Sequence, residues 1–147
     1  MATNANNIFL SPYGTKIKKE RQLNAGVALP GHVMAYAGAG NIIINPTAEL
    51  IGPLYVADLS VSVAGAIDTQ YDTTDNSRVN YKMPQVGDLV RFRVGADTVI
   101  AVDDELATAV AGNVEVSSGP GVAVIAIATT AITTGAGESG FVIGEVI

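Results

Sequence analysis

Hydrophobic and polar positions alternate along most of this chain in short runs, each closed by Gly, Pro, Asn or Asp, which is the pattern of strands joined by turns. The run nearest the middle, Leu89–Val94 (LVRFRV), follows the turn-forming Pro84-Gln85-Val86-Gly87-Asp88 and mixes β-branched, aromatic and long polar side chains, as a half-buried strand does. Upstream, residues 27–37 place a Pro-Gly turn at Pro30-Gly31 before an alternating strand; Gly38 to Asn41 closes it, and Ile42, Ile43 and Ile44 begin the next, so a hairpin is predicted. Further strands are predicted over 54–63, 98–102, 113–116, 122–128 and 141–147, and the stretch 15–23 (TKIKKERQL) reads as extended. The Ala-rich piece 106–111 is the one candidate helix, with Asp103 or Asp104 as N-cap and Gly112 as its stop. Short strands at this density of turns predict a mainly β fold, a small β-barrel or β-sandwich with at most one short helix.

Length bounds this to one domain: 147 residues support a single core. The division expected is an extended N-terminal arm over 1–22 and a β-rich domain over 23–147. Residues 1–14, rich in Asn, Ala and Thr, hold one apolar island at Ile8, Phe9 and Leu10 and are expected to stay free until a partner orders them. The chain is 48% hydrophobic but only 5% aromatic, with mean hydropathy +0.35. In so small a domain part of that apolar surplus is expected against other subunits or a partner.

Charge and composition remove several classes of function. With no cysteine, disulfides, thiolate metal sites and thiol nucleophiles are excluded together. The net charge of −6 argues against direct nucleic-acid binding, because an acidic body repels a phosphate backbone. Half of the eight basic residues, Lys16, Lys18, Lys19 and Arg21, lie in one stripe, which suits an acidic protein surface better. No segment has the apolar length of a membrane span, and the first residues lack a signal peptide's charged start and apolar stretch, so synthesis in the cytoplasm is expected.

No catalytic set emerges. Gly135, Gly137 and Gly140 match G-x-G-x-x-G, but a strand follows instead of the helix whose N-terminus would hold a pyrophosphate, so a hairpin turn is expected. Asp103, Asp104 and Glu105, like Asp68, Asp72 and Asp75, lack the alternating ligand spacing of a calcium loop. His32, the single histidine, follows a Pro-Gly turn with no serine or second ligand beside it and reads as a strand-start residue. Neither a cofactor nor a metal is expected, and the chain is not expected to be an enzyme.

The order of the pieces resembles the small head decoration, or capsid cement, proteins of tailed bacteriophages. The resemblance is carried by Leu29-Pro30-Gly31-His32-Val33, by the strand over 41–46, and by Leu54-Tyr55-Val56-Ala57-Asp58 before a polar insertion. It continues through the P-x-x-G-D strand that ends 80–94, through 100–106 with Asp103 where glycine is usual, and into a terminal hairpin. It implies a β-tulip-like domain, commonly a homotrimer, that binds the outside of an expanded icosahedral shell at local three-fold positions and clamps neighbouring copies of the major capsid protein. On that reading Ile8, Phe9 and Leu10 are the apolar anchors on the capsid, and Lys16, Lys18, Lys19 and Arg21 its basic contacts. The alternatives are a virion-surface module that recognises a host glycan or protein through the polar loop 68–80, and the base of a head fibre.

Overall fold

The computed structural model describes residues 7–10, 18–59 and 67–147. It is mainly β, and among the described residues the one helical feature is a 3-10 turn at Val110–Gly112. The strands are β1 (Lys18–Gln22), β2 (Val33–Gly38), β3 (Asn41–Ile44), β4 (Tyr55–Ala57), β5 (Arg78–Lys82), β6 (Leu89–Val94), β7 (Val99–Ile100), β8 (Glu105–Thr108), β9 (Val114–Val116), β10 (Val124–Ala128), β11 (Ile132–Thr133) and β12 (Gly140–Val146). They form a closed barrel in the order β10-β12-β6-β9-β8, a five-stranded sheet in the order β1-β5-β4-β2-β3, and a small β11-β7 ribbon.

The barrel is antiparallel except where β6 meets β9 in parallel at Val94 and Val114. Its interior is the main core, in which Val90, Phe92, Val94, Leu106, Ala126 and Val142 are fully buried. Closure around the Phe92 ring depends on Gly144: a Cβ there would lie within 3.2 Å of Ala126, Leu106 and Phe92. Alternation along β6 sends Val90, Phe92 and Val94 inward, as its pattern predicts.

The second sheet curls until its outer strands meet: Leu23, just past β1, bridges Ile42 of β3, and the Asn24 N–H donates to the Ile42 carbonyl at 2.8 Å. It wraps a smaller core of Leu23, Ala28, Met34, Ile42, Tyr71, Val79 and Tyr81. The opposite faces of β2 and β4 turn Val33 and Val56 into the main core, which joins the two halves. At this joint the Arg93 guanidinium is buried, stacked on Phe141 at 4.5 Å, donating to the carbonyls of Pro30 (2.8 Å) and Ile67 (2.7 Å) and paired with Asp68 at 3.0 Å. A buried charge is tolerated when it is this fully hydrogen-bonded.

Two expectations are overturned. The stretch 106–111 is not a helix: Leu106, Ala107 and Thr108 belong to β8, all three buried. A strand covered on both faces carries no alternation, so its Ala-rich composition imitates a helix. Asp103 and Asp104 instead close the β7–β8 turn, Asp103 at φ +71° and Asp104 accepting the Ala101 N–H at 2.7 Å. Glycine adopts such a φ without strain, and aspartate is among the few other residues that tolerate it.

The second concerns the apolar island of the arm, residues 8–10; residues 1–6 and 11–17 lie outside the described residues. Ile8 is fully buried in the barrel core, its carbonyl accepts the Arg91 N–H at 2.7 Å, and the Leu10 N–H donates to the Leu89 carbonyl at 2.9 Å. The segment therefore covers the open stretch of β6 that the short β9 leaves unpaired, satisfying backbone groups that would otherwise be stranded. Residues 18–22 likewise form β1, paired along its length with β5. The apolar contacts expected of Ile8 with an outside partner are made within the chain.

Candidate interaction surface

Register decides which side chains share the inner face of the curled sheet. Lys19 stands opposite Tyr81, and Arg21 opposite Val79. Tyr81 stands opposite Ala57, Met34 opposite Tyr55, and Tyr36 opposite Ile42. Because side chains alternate along a strand, Lys19, Arg21, Tyr36, Tyr55 and Tyr81 all project to one side. The Tyr36 and Tyr55 rings lie 4.8 Å apart, and Tyr81 meets Tyr55 edge-on at 5.3 Å and Tyr36 at 6.4 Å.

The two cations close this aromatic cluster. The Arg21 guanidinium lies over Tyr36 at 4.3 Å while its Nε donates to the Tyr81 hydroxyl at 2.9 Å, and the Lys19 ammonium stands 5.8 Å from the Tyr55 ring. Tyr55 and Tyr81 are buried, whereas Tyr36 is 40% exposed and forms the outer surface of the patch. A hydrogen bond from Tyr55, then one from Tyr81 and the nearby Lys19 and Arg21, lower the Tyr36 hydroxyl to about 8. Burial pushes the Tyr81 hydroxyl up to about 12, and the bond with Tyr36 raises Tyr55. Arginine and tyrosine on a fixed strand surface are the residues that dominate protein interfaces, since they bring large contact area at low entropic cost.

The other expected contact residues fall elsewhere. Phe9 is half-buried beneath the Lys82 ammonium at 4.9 Å, and Lys82 pairs with Asp58 at 2.7 Å. Ile8, Phe9, Asp58 and Lys82 line a shallow cavity of about 280 Å³. Lys18 lies in β1, while Lys16 lies outside the described residues. Among the described side chains of the seven residues named from sequence, Lys19 and Arg21 meet in one patch. The tyrosines that complete it lie one each on β2, β4 and β5, so no pattern within a strand links them in the sequence.

A second exposed surface is apolar. Leu50, Leu54, Met83, Val86 and Ile147 line a groove of about 270 Å³ at one end of the barrel, with Val86 79% exposed. The polar loop offers no ring to a sugar: Tyr71 and Tyr81, the aromatic candidates there, are fully buried, and the Tyr71 hydroxyl donates to the Asp58 carbonyl at 2.6 Å. Asp72 organises the tip of that loop by accepting the N–H groups of Thr74 and Asp75, which lowers its carboxyl below the usual range. Among the described residues no cluster of three or more His, Asp or Glu stands where it could hold a metal ion. His32 accepts the Leu29 N–H on Nδ1 at 3.1 Å, which commits that nitrogen to the turn.

A closed five-stranded barrel joined to a curled five-stranded sheet defines the described chain as a mainly β module. The same fold occurs in the head fibre gp8.5 N base of bacteriophage phi29, with a TM-score of 0.58 at 16% identity over 90% of this chain and 95% of that one. No family model matches the sequence. No curated protein matches it either.

Proposed function

We propose that the protein is a structural component of a phage virion, bound as a homotrimer to the outer surface of an expanded capsid, where it clamps neighbouring copies of the major capsid protein. The observation that carries this reading is the end-to-end likeness of fold to a head fibre base, which reaches both the barrel and the curled sheet. The surfaces support it: a rigid Tyr-Arg patch and an exposed apolar groove are suited to protein partners. We read the protein as non-enzymatic, without cofactor, membrane or nucleic-acid partner. The base of a head fibre is the second reading, favoured by the 95% coverage of a chain that is itself such a base.

Light scattering on the purified protein, alone and then mixed with expanded shells freed of it, tests both readings. A trimer that saturates shells and raises their resistance to heat is the expected result. A protein that saturates shells without stabilising them, yet recruits a further fibre segment, is a fibre base. A protein that ignores shells overturns both.

A further inference from the structure

Charge is divided between the halves of this molecule. Seven of the 14 acidic residues follow Arg93, and no Lys or Arg does, so the net negative charge lies in the half of the chain that builds most of the barrel, while the curled sheet presents Lys19 over Tyr55 and Arg21 over Tyr36.

The barrel's outer face carries the complementary arrangement. Ile127 of β10 stands opposite Glu105 of β8 on one side and Glu145 of β12 on the other. Leu106, Ala126 and Val146, the next residues on those strands, are buried in the core, so Glu105, Ile127 and Glu145 project outward, and both carboxylates are exposed. Two strand spacings set these carboxylates about 10 Å apart around one apolar side chain. Glu115 on β9 extends the acidic row, and Arg91, opposite Ile143 on β6, is the nearest base by register. An apolar centre between two carboxylates thus matches an aromatic centre between two cations.

We propose that copies of this chain associate head to tail, the Lys19-Arg21-Tyr36 patch of one copy seated on the Glu105-Ile127-Glu145 row of the next. Two different patches on one subunit make a heterologous contact, and such contacts build closed rings when the rotation closes, three copies giving a trimer. The inference rests on the trimer in the proposed function and supplies its interface. Exposed charge pairs are screened by salt, so they fix partner and register, while Tyr36 against Ile127 supplies the dry centre.

The test is the mass of the full chain by light scattering, at low salt and at about 1 M salt, where the Debye length falls to about 3 Å. Lys19→Glu/Arg21→Glu and Glu105→Lys/Glu145→Lys should each raise the trimer dissociation constant on the order of a hundredfold, and the chain with all four changes should recover it. The acid-side variant alters only exposed residues, so it keeps the test sound if replacing Arg21 disturbs the fold. Reversals that leave the parent's trimer intact overturn this interface and leave the trimer standing. Reversals that keep the trimer but lose shell binding overturn it too, and assign the patch to the capsid. A parent that is monomeric at every salt overturns both the interface and the trimer, while its binding to shells separately reports on the virion reading.

Discussion

Acidification should loosen the joint between barrel and sheet through His32. The side chain sits at the start of β2, where the Gly31 N–H donates to the Ala57 carbonyl and the Arg93 N–H donates to the Gly31 carbonyl. Its Nδ1 accepts the Leu29 N–H, which requires the neutral imidazole. Burial first, and the charge of Arg93 second, lower it from 6.5 to about 4. The unfolded chain therefore takes up this proton before the folded one does. The contribution to stability is complete above the unfolded value and is lost as the pH falls through the window between the two. Linkage puts the loss at about 2 kcal/mol by pH 5 and about 3 kcal/mol by pH 4, relative to neutral pH. Carboxylates titrate in part of the same window, so the informative quantity is the difference between the parent and His32→Asn, whose Oδ1 can accept the Leu29 N–H but does not titrate. Urea unfolding across this range should show the parent losing stability relative to the variant with a slope approaching about 1.4 kcal/mol per pH unit. Parallel curves would refute the reasoning and return His32 to an ordinary exposed histidine.

Three further outcomes follow from the packing. Ile8→Ser should destabilise the protein by about 3 kcal/mol in urea unfolding, because it empties a core position, whereas Leu10→Ser, at a half-buried position, should cost under about 1.5 kcal/mol; equal small effects would restore the free-arm expectation. Gly112→Ala places a Cβ 2.9 Å from the Val33 carbonyl oxygen at φ +71°, so it should cost about 3 kcal/mol, against about 1 kcal/mol for Gly26→Ala, which has a similar φ and open space around it. Phenolate absorbance should show an early ionisation step with its midpoint at about 8 that disappears in Tyr36→Phe; a parent whose tyrosines all titrate together at the ordinary value would mean that the cluster is not hydrogen-bonded.

How much of this was legible beforehand depends on the range over which each feature is set. Most strands were readable, since alternation and turn residues are local: β6 falls where LVRFRV predicts it and the β2–β3 hairpin turns at Gly38 to Gly40, whereas the glycines from Gly135 link β11 to β12 without closing the expected hairpin, because β11 pairs with β7 and β12 with β6 and β10. β8 was missed because packing covers both its faces, which removes the alternation that distinguishes a strand from an Ala-rich helix. The island at Ile8 to Leu10 was visible as an apolar group in need of a partner, but not that β6 of its own chain is that partner.

The patch shows the same division. From the sequence come the stripe of bases, the like parity of Lys19 and Arg21 on an extended segment, and the absence of bases after Arg93. Only the tertiary structure brought Tyr36, Tyr55 and Tyr81 from three strands around those two cations, and set Glu105 and Glu145 on either side of Ile127. The physical reason is that a strand's side-chain period is written in its own residues. Its neighbours and its register are settled by which pairings close the barrel and bury the core, a property of the whole chain at once.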